Sequence, residues 1–390
     1  MRLPRAIWAL GLASMFMDAS SELIHALLPV FMTTVLGVSI VAVGVIEGVA
    51  EATAAVVKVF SGALSDWIGR RKPLVVLGYG LAAVTKPLFP LASGIGVIVT
   101  ARFVDRIGKG IRGAPRDALI ADVTAPGQRG AAYGLRQSLD TIGAFVGPLL
   151  ALALMAAFAG NMRTVFWIAV IPAMLSVACI VVFVREPEGS QRDGRRRIPL
   201  APAELARLPK HYWLVLVFAS VLTLARFSEA FLVLRAHDVG LALAWVPVVM
   251  VVMNVVYAVA AAPAGIAADR MSRRSLLLWG LGVLVVADLV LARATGPLAT
   301  FVGAALWGLH MGLTQGLLSA LVADAAPEDL RGTAFGVFHL ASGVFLLIAS
   351  SLAGLLWTVY GPALTFVAGA VFTGVAAVGL VLSPRTVSRG

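Results

Sequence analysis

The sequence predicts an all-α integral membrane protein of twelve transmembrane helices, arranged as two six-helix bundles related by pseudo-two-fold symmetry. Three observations carry this prediction. Hydrophobic residues make up 60% of the 390 residues and charged residues 13%, which leaves too little polar surface for a soluble protein. Twelve apolar stretches have roughly the 20 residues that a helix needs to cross the bilayer. The two halves of the chain also repeat one another.

Six of the apolar stretches precede a basic linker and six follow it. They cover residues 6–35, 40–61, 73–93, 95–120, 130–156, 163–185, 210–234, 242–267, 275–293, 297–324, 332–358 and 362–383. The first stretch contains Asp18 and Glu22 and is followed by eleven others, so we expect a membrane helix and no cleaved signal peptide. The expected domains are a bundle over 1–186, a cytoplasmic linker over 187–209 and a bundle over 210–390.

Two motifs occur twice, about 202 residues apart. The segment Ala118–Asp122, followed seven residues later by an arginine, returns as Ala320–Asp324 with the same spacing. The segment Gly62–Arg71 returns in degenerate form as Gly265–Arg274. A duplicated membrane domain is the organisation of secondary transporters, in which two bundles rock around a site between them.

The net charge of +11 reflects membrane topology. Nineteen of the 31 basic residues fall at the termini and the even-numbered connections, and only Arg163, Arg235 and Arg293 at the odd-numbered ones. The positive-inside rule therefore places both termini and the linker in the cytoplasm, with the protein in the inner membrane. No nucleic-acid-binding module accompanies the positive charge, so we expect the chain to contact membrane lipid and to bind no nucleic acid. We expect it to be a monomer.

The connection between spans 2 and 3 resembles the loop signature of the major facilitator superfamily, whose degenerate second copy lies between spans 8 and 9. The resemblance covers the whole chain and implies alternating access, with a charge lock that holds the two halves together in the outward-open state. The residues that carry it are Gly62, Asp66, Gly69, Arg70 and Arg71, with Asp269 in the second copy.

The fifth span is similar to the antiporter motif of drug:proton exporters. Gly134, Gly143, Gly147 and Pro148 match its pattern, although Ala151 replaces the final glycine. Glycines at this spacing let helix backbones approach closely, and a proline kinks the helix. The resemblance favours export, and generic packing of small residues is the alternative.

The fourth span carries a charged stripe. Its residues recur at spacings of three and four and so share one helical face: Arg102, Asp105, Arg106, Lys109, Arg112 and Arg116. Such a face cannot be exposed to lipid, so it must line a water-filled cavity or contact carboxylates. The candidate partners are Asp18, Glu22, Glu47, Glu51 and Asp140. Arg102 stands at the superfamily's arginine position, which the resemblance associates with proton transfer, although Arg106 replaces the motif's first glycine.

Three interpretations of these charges remain open: ion pairs that hold helices in register, proton coupling, and a site for an anionic solute. A divalent metal ion as substrate is a fourth, although the surrounding Arg and Lys residues argue against it. The residues assigned to proton coupling are Asp18, Glu22, Glu47, Glu51 and Arg102. The residues assigned to substrate binding are His25, Asp105, Arg106, Lys109, Arg112, Arg116, Asp140, Arg226, Glu229, Asn254 and His310.

The sequence therefore predicts a secondary active transporter that exports a small solute in exchange for protons. Proton-coupled uptake of an organic anion and divalent metal transport are the alternatives. We expect no enzyme activity, resident metal or cofactor, because no nucleophile–base motif, His/Cys metal cluster or phosphate-binding glycine loop is present in the sequence.

Overall fold

The computed structural model describes residues 4–68, 70–124, 129–185, 202–327 and 330–382, and no β-strand occurs among them. The chain forms two compact units. Unit 1 comprises Met1–Leu36 and Val49–Pro199, and unit 2 comprises Gly37–Gly48 and Leu200–Gly390. Most of the predicted linker lies outside the described residues, so the domain boundaries expected from the sequence stay a prediction.

Helices account for nearly all of the described chain, with one short 3-10 turn at Leu243–Trp245. In chain order the α-helices are α1 (Arg5–His25), α2 (Leu28–Thr34), α3 (Ile40–Ile68), α4 (Lys72–Thr85), α5 (Leu88–Leu91), α6 (Ile95–Val123), α7 (Arg129–Ala157), α8 (Met162–Ile168), α9 (Val170–Phe183), α10 (Pro202–Leu205), α11 (Lys210–Ala225), α12 (Ala230–Asp238), α13 (Val248–Arg270), α14 (Arg273–Ala292), α15 (Pro297–Ala325), α16 (Arg331–Tyr360) and α17 (Pro362–Leu382).

The all-helical membrane fold predicted from the sequence is confirmed. Ten helical segments of the described chain are long and apolar enough to cross a membrane. Four of them join two consecutive helices, as in Arg5–Thr34, which contains α1 and α2. The predicted spans 4 and 10 correspond to α6 and α15, each 29 residues long. The charged stripe makes α6 less apolar than the other long helices.

Glycines bring the helices of unit 1 together. A Cβ atom on Gly147 of α7 would lie 2.8 Å from the carbonyl oxygen of Ala19 on α1, so α1 and α7 touch through their backbones. Gly78 of α4 and Gly108 of α6 do the same, since a Cβ on either would lie 2.6 Å from the other's carbonyl oxygen. These two crossings bring α1 and α4 against the helices that carry most of the unit's charge.

Unit 2 repeats this packing at the 202-residue offset. Gly280 of α14 faces Thr314 of α15, as Gly78 of α4 faces Arg112 of α6. The duplicated sequence has therefore produced a duplicated helix crossing. The core of unit 2 is aromatic and is built by Phe227, Phe231, Trp307, Trp357 and Phe366.

Candidate functional site

The charged stripe of α6 faces the interior of unit 1. The side chains of Arg102, Asp105, Arg106, Arg112 and Arg116 are all buried, whereas Lys109 is exposed. Burial of this many charges is tolerable only where each finds a counter-charge or a hydrogen-bond partner. The partners come from α1, α3, α4 and α7.

His25, at the end of α1, accepts from two arginines of the stripe. Arg102 Nη1 contacts His25 Nε2, and Arg106 Nη2 lies 3.2 Å from the same atom. Guanidinium groups only donate, so Nε2 is the acceptor and Nδ1 carries the imidazole proton. Nδ1 in turn lies 3.4 Å from Glu22 Oε1. The neutral imidazole therefore joins a carboxylate of α1 to two guanidinium groups of α6.

Arg106 extends this chain to α3, because its Nη2 lies 3.1 Å from Glu51 Oε1. We call the set Glu22, His25, Arg102, Arg106 and Glu51 the His25 cluster. The structure brings together in it three of the five residues that the sequence assigned to proton coupling. The other two are Asp18, which lies about one turn earlier on α1, and Glu47, which is buried in the part of α3 that belongs to unit 2.

A second buried ion pair lies beside the His25 cluster. Lys86, which follows α4, places its Nζ 3.0 Å from Asp105 Oδ1 and 2.9 Å from the hydroxyl of Ser21 on α1. The side chains of Lys86 and Asp105 are only 1% and 4% exposed. Lys86 thus neutralises the carboxylate of the stripe and ties α4, α6 and α1 together.

Tyr79 of α4 supports the next two turns of the stripe. The guanidinium of Arg112 stacks over the Tyr79 ring at 4.7 Å, an arrangement that stabilises a cation through the ring electrons. Arg116 Nη1 donates to Ser14 Oγ at 2.6 Å and lies 3.4 Å from the Tyr79 hydroxyl, which is itself 2.8 Å from Ser14. Arg112 is held by a ring, with no carboxylate paired to it in the described chain.

The acidic residues around α7 pair mainly with its own arginine. Arg136 contacts Asp140 one turn away on the same helix and lies 3.8 Å from Asp117. Asp117 also accepts from Arg116 Nε at 3.1 Å. Asp140, which the sequence analysis offered as a partner for the stripe, pairs with Arg136 of its own helix and lies within electrostatic range of Arg116. Asp18 lies within electrostatic range of Asp140 and Arg112.

Two cations of the stripe have hydrogen-bond donors without a partner in the described chain. Lys109 is exposed and makes no hydrogen bond or ion pair with any described residue. The Nη1 of Arg112 has no hydrogen-bond partner in the described chain. In the His25 cluster the imidazole contacts two guanidinium groups and Glu51 contacts one. The described residues contain no group of three or more His, Cys, Asp or Glu arranged to hold a metal ion.

The predicted antiporter glycines lie directly under the acidic face of α1. A Cβ on Gly143 would lie 3.1 Å from Asp18 Cβ, and one on Gly147 would lie 2.7 Å from Glu22 Cβ. Pro148 follows within α7, and Gly134 lies near the start of that helix, where its surroundings fall outside the described part. The motif therefore sets how closely Asp18 and Glu22 approach α7.

The loop motif is described only in part. Arg71 Nε donates to Asp122 Oδ2 at 2.6 Å, which ties the start of α4 to the end of α6. Arg70 is exposed and Gly62 faces Ala114 of α6. Gly69 and the side chains of Asp66 and Asp269 lie outside the described residues, so the charge lock stays a prediction.

The candidate residues of unit 2 occupy different settings. Arg226 follows α11 and lies within electrostatic range of Glu229 and Tyr257. His310 is fully buried, with Nδ1 2.8 Å from the carbonyl oxygen of Gly280 and Nε2 3.5 Å from the Thr314 hydroxyl. Asn254 lies within α13. No described contact of His310 reaches a carboxylate.

Sequence reasoning missed the polar partners that are not strongly charged. Ser14, Ser21 and Tyr79 complete the contacts of Arg116 and Lys86, and none of the three was predicted as a site residue. Ser14 and Ser21 could have been found, because with Asp18 and His25 they recur every three or four residues along α1.

Comparison with known proteins identifies the family. The sequence matches the Major Facilitator Superfamily over residues 10–253 and 230–390. The chain belongs to this superfamily. It is 32% identical to an uncharacterized MFS-type transporter of Methanocaldococcus jannaschii, over 95% of this chain and 92% of the relative. It is also 25% identical to the inner membrane transport protein YajR of Escherichia coli, over 95% and 81% of the two chains.

Other similarities to members of the superfamily are shorter or structural. The multidrug resistance protein MdtH of Yersinia enterocolitica is 30% identical over 115 residues, 30% of this chain and 28% of that one. Among solved structures, the nucleoside transporter NupG aligns with a TM-score of 0.83 at 11% identity, over 96% of this chain and 99% of that one. A D-xylose-proton symporter aligns with a TM-score of 0.74 at 14% identity, over 98% of both chains.

These comparisons confirm the resemblance read from the loop signature, and with it the fold class. The protein is a multi-pass membrane transporter of the major facilitator superfamily. The structural relatives carry solutes as different as nucleosides and sugars, and at such low identity they share only the fold with this chain. Substrate, direction and coupling ion therefore have to be argued from this chain's own residues.

Proposed function

We propose that the protein is a proton-coupled antiporter that exports a small solute by alternating access, with the His25 cluster of unit 1 as its proton-handling centre. The observation that carries the proposal is the partly buried chain of contacts from Glu22 through His25 to Arg102 and Arg106, and on to Glu51. In this chain of contacts a neutral histidine and two permanently charged arginines connect the two carboxylates. A nearby arginine favours the ionised form of a carboxylate, so the affinity of each carboxylate for a proton depends on how close the arginines are.

Glu22 is the residue that suits proton binding best. It is partly exposed, and its Oε1 lies 3.4 Å from Nδ1 of the neutral His25 imidazole. Protonating Glu22 removes the negative charge that the His25 N–H faces, which frees the imidazole and the two arginines to reorient. A proton on Glu22 thereby changes the contacts between α1 and α6, the kind of differential interaction that a coupling ion needs in order to bias a conformational equilibrium.

The antiporter glycines and the relatives support export. Gly143 and Gly147 set the backbone contact that carries Asp18 and Glu22, and the fifth-span pattern resembles that of drug:proton exporters. The partial similarity to a protein named for multidrug resistance points the same way.

Uptake of an organic anion by proton symport is the second candidate. Lys109 and Arg112 favour it, since one is exposed without an ion pair and the other keeps an unbonded Nη1 in the described chain. Two cationic donors one turn apart match the two oxygens of a carboxylate. In this case the anion would bind to the stripe itself.

A flux assay on the wild-type protein separates the two. Purified protein is first screened for thermal stabilisation by an organic anion such as benzoate, a lipophilic cation such as tetraphenylphosphonium, and Mn²⁺. Stabilising solutes are then added to proteoliposomes that hold an acidic interior. Antiport moves protons out as the solute enters, so the interior becomes more alkaline. Symport of an external anion instead carries protons in and makes the interior more acidic.

Arg102→Ala and Arg163→Ala form the matched pair for this assay. Arg102 contacts His25, whereas Arg163 lies outside the cluster, where it donates to the carbonyl oxygen of Pro90. We expect proton movement to be lost only in Arg102→Ala. Solute flux without any proton movement in the wild type would refute the coupling, and movement retained in Arg102→Ala would refute the role of the cluster.

We also propose that the protein works as a monomer in the cytoplasmic membrane with both termini inside the cell. The asymmetric distribution of Lys and Arg supports this orientation. The relative from Escherichia coli, an inner membrane transport protein by name, supports the location. Protease accessibility of tags at the two ends, in right-side-out and inverted vesicles, tests it.

A further inference from the structure

Unit 2 contains a buried acid that no described residue pairs with. Asp288 lies on α14 and its side chain is 0% exposed. Neither carboxyl oxygen has a hydrogen-bond partner in the described chain, and no ion pair described there reaches it. Taking an unpaired carboxylate out of water is strongly unfavourable, and a group in this position loses its charge instead.

The surroundings of Asp288 are aromatic. A Cβ on Gly369 of α17 would lie 2.7 Å from Asp288 Oδ2 and 3.2 Å from the ring of Phe227, so a glycine at 369 makes room for the carboxyl group. The Phe227 ring packs on Trp307 and Phe366, with centroid distances of 5.4 and 5.5 Å. The rings exclude water without offering a hydrogen bond to either oxygen.

No charged or titratable group of the neighbouring helices forms a described bond with Asp288. Between Pro362 and Leu382, α17 contributes none. Arg235 of α12 donates to the carbonyl oxygen of Leu291, one turn beyond Asp288, and pairs with Asp238. Titratable groups on or next to the surrounding helices include His310 of α15, Tyr257 of α13, Arg293 after α14, and Arg226 and Glu229, which flank Phe227 in the sequence. None of them forms a described bond with the carboxyl group.

The internal repeat shows what is missing. At the offset of 202 residues, Asp288 occupies the position of Lys86, and Trp307 occupies that of Asp105. Unit 1 fills these positions with a salt bridge of 3.0 Å. Unit 2 reverses the charge of the first position and removes the charge of the second, so the repeat supplies no counterpart of this salt bridge to Asp288.

We propose that Asp288 is a second proton-binding site, which holds a proton in the described conformation and releases it in another step of the transport cycle. A proton needs one acceptor oxygen, whereas hard metal cations need about six or more oxygen ligands. The rings and Gly369 supply too few, and the nearby Thr373 hydroxyl donates to the carbonyl oxygen of Gly369. The site goes beyond the proposed function, which places coupling in unit 1, and it depends on neither the direction of transport nor the substrate.

Infrared difference spectroscopy of the purified full-length protein in lipid nanodiscs tests this site without a substrate. The wild type is compared with Asp288→Asn, which has the shape of the neutral acid, and with Asp238→Asn, which removes an exposed carboxylate. We expect a protonated-carboxyl C=O band that is absent only from Asp288→Asn. We expect it to lose intensity as the pH is raised from mildly acidic to alkaline, and to be unaffected by sodium at fixed pH. If Asp288→Asn fails to fold, Asp288→Glu replaces it and should shift the band.

Three results would overturn the proposal. Absence at neutral pH of any band sensitive to residue 288 would mean that the carboxyl is ionised. A band that stays constant over the whole pH range in which the protein is folded would mean a permanently neutral structural acid. Loss of the band on addition of sodium at fixed pH would mean that an alkali cation, and not a proton, is the ligand of this site.

Discussion

The salt bridge between Lys86 and Asp105 should be the most costly charge pair in unit 1 to break. Both side chains are almost fully buried, and Lys86→Met leaves the Asp105 carboxylate without its ammonium partner. Removing one member of a buried pair costs about 3–5 kcal/mol. For a unit of this size each kcal/mol lowers the melting midpoint by about 2–4 °C, so we expect a loss of roughly 6–20 °C.

The assay is thermal unfolding of the purified protein in detergent, with Lys72→Met as the matched control. Lys72 begins the same helix, and its Nζ donates to the carbonyl oxygen of Val181 in an exposed position, so its removal should cost less than about 1 kcal/mol. The double variant Lys86→Met/Asp105→Asn should recover most of the loss, because it leaves no unpaired charge in the pair. Equal midpoints for Lys86→Met and Lys72→Met would refute the reasoning.

Two further substitutions test the packing and the hydrogen bonds around the stripe. Gly147→Ala should destabilise the protein by about 1–3 kcal/mol, because the new methyl group meets the backbone of α1. Gly80→Ala, where a Cβ meets nothing within 4 Å, should be neutral or stabilising by up to about 1 kcal/mol; equal effects in thermal unfolding would contradict the helix contact. Tyr79→Phe should cost about 1–3 kcal/mol, because Ser14 and Arg116 lose the hydroxyl between them; an unchanged melting midpoint would show that this hydroxyl does not contribute.

The sequence was sufficient to predict the fold and the charged face. Apolar length gave the spans, the internal repeat gave the two halves, and the three-and-four spacing of charges on α6 predicted that this face is buried. Each of these features depends on a property of one segment at a time. For that reason they can be read without knowing which helices touch.

The pairing of the charges could not be predicted, because it depends on helix crossings. Asp140 was a candidate partner of the stripe; it contacts Arg136 on its own helix and lies within electrostatic range of Arg116. Lys86 was not predicted as a site residue, yet it neutralises Asp105. The crossing that places it there is set by Gly78 and Gly108, and a glycine in one helix does not reveal its partner in another.

The internal repeat was also more informative than its motifs suggested. Asp288 stands at the position that a lysine occupies in the first half. The structure adds that neither of its carboxyl oxygens has a hydrogen-bond partner in the described chain. The motifs alone gave Asp288 no role.

The central claim is that protons act on transport through Glu22. The direct test is Glu22→Gln in proteoliposomes, using a solute that the wild type transports and Asp238→Asn as the control carboxylate. Two activities are measured, accumulation driven by a pH gradient and solute exchange without a gradient. We predict that Glu22→Gln loses the first and keeps the second, since the amide mimics the protonated acid. Full pH-driven accumulation in Glu22→Gln would contradict the claim.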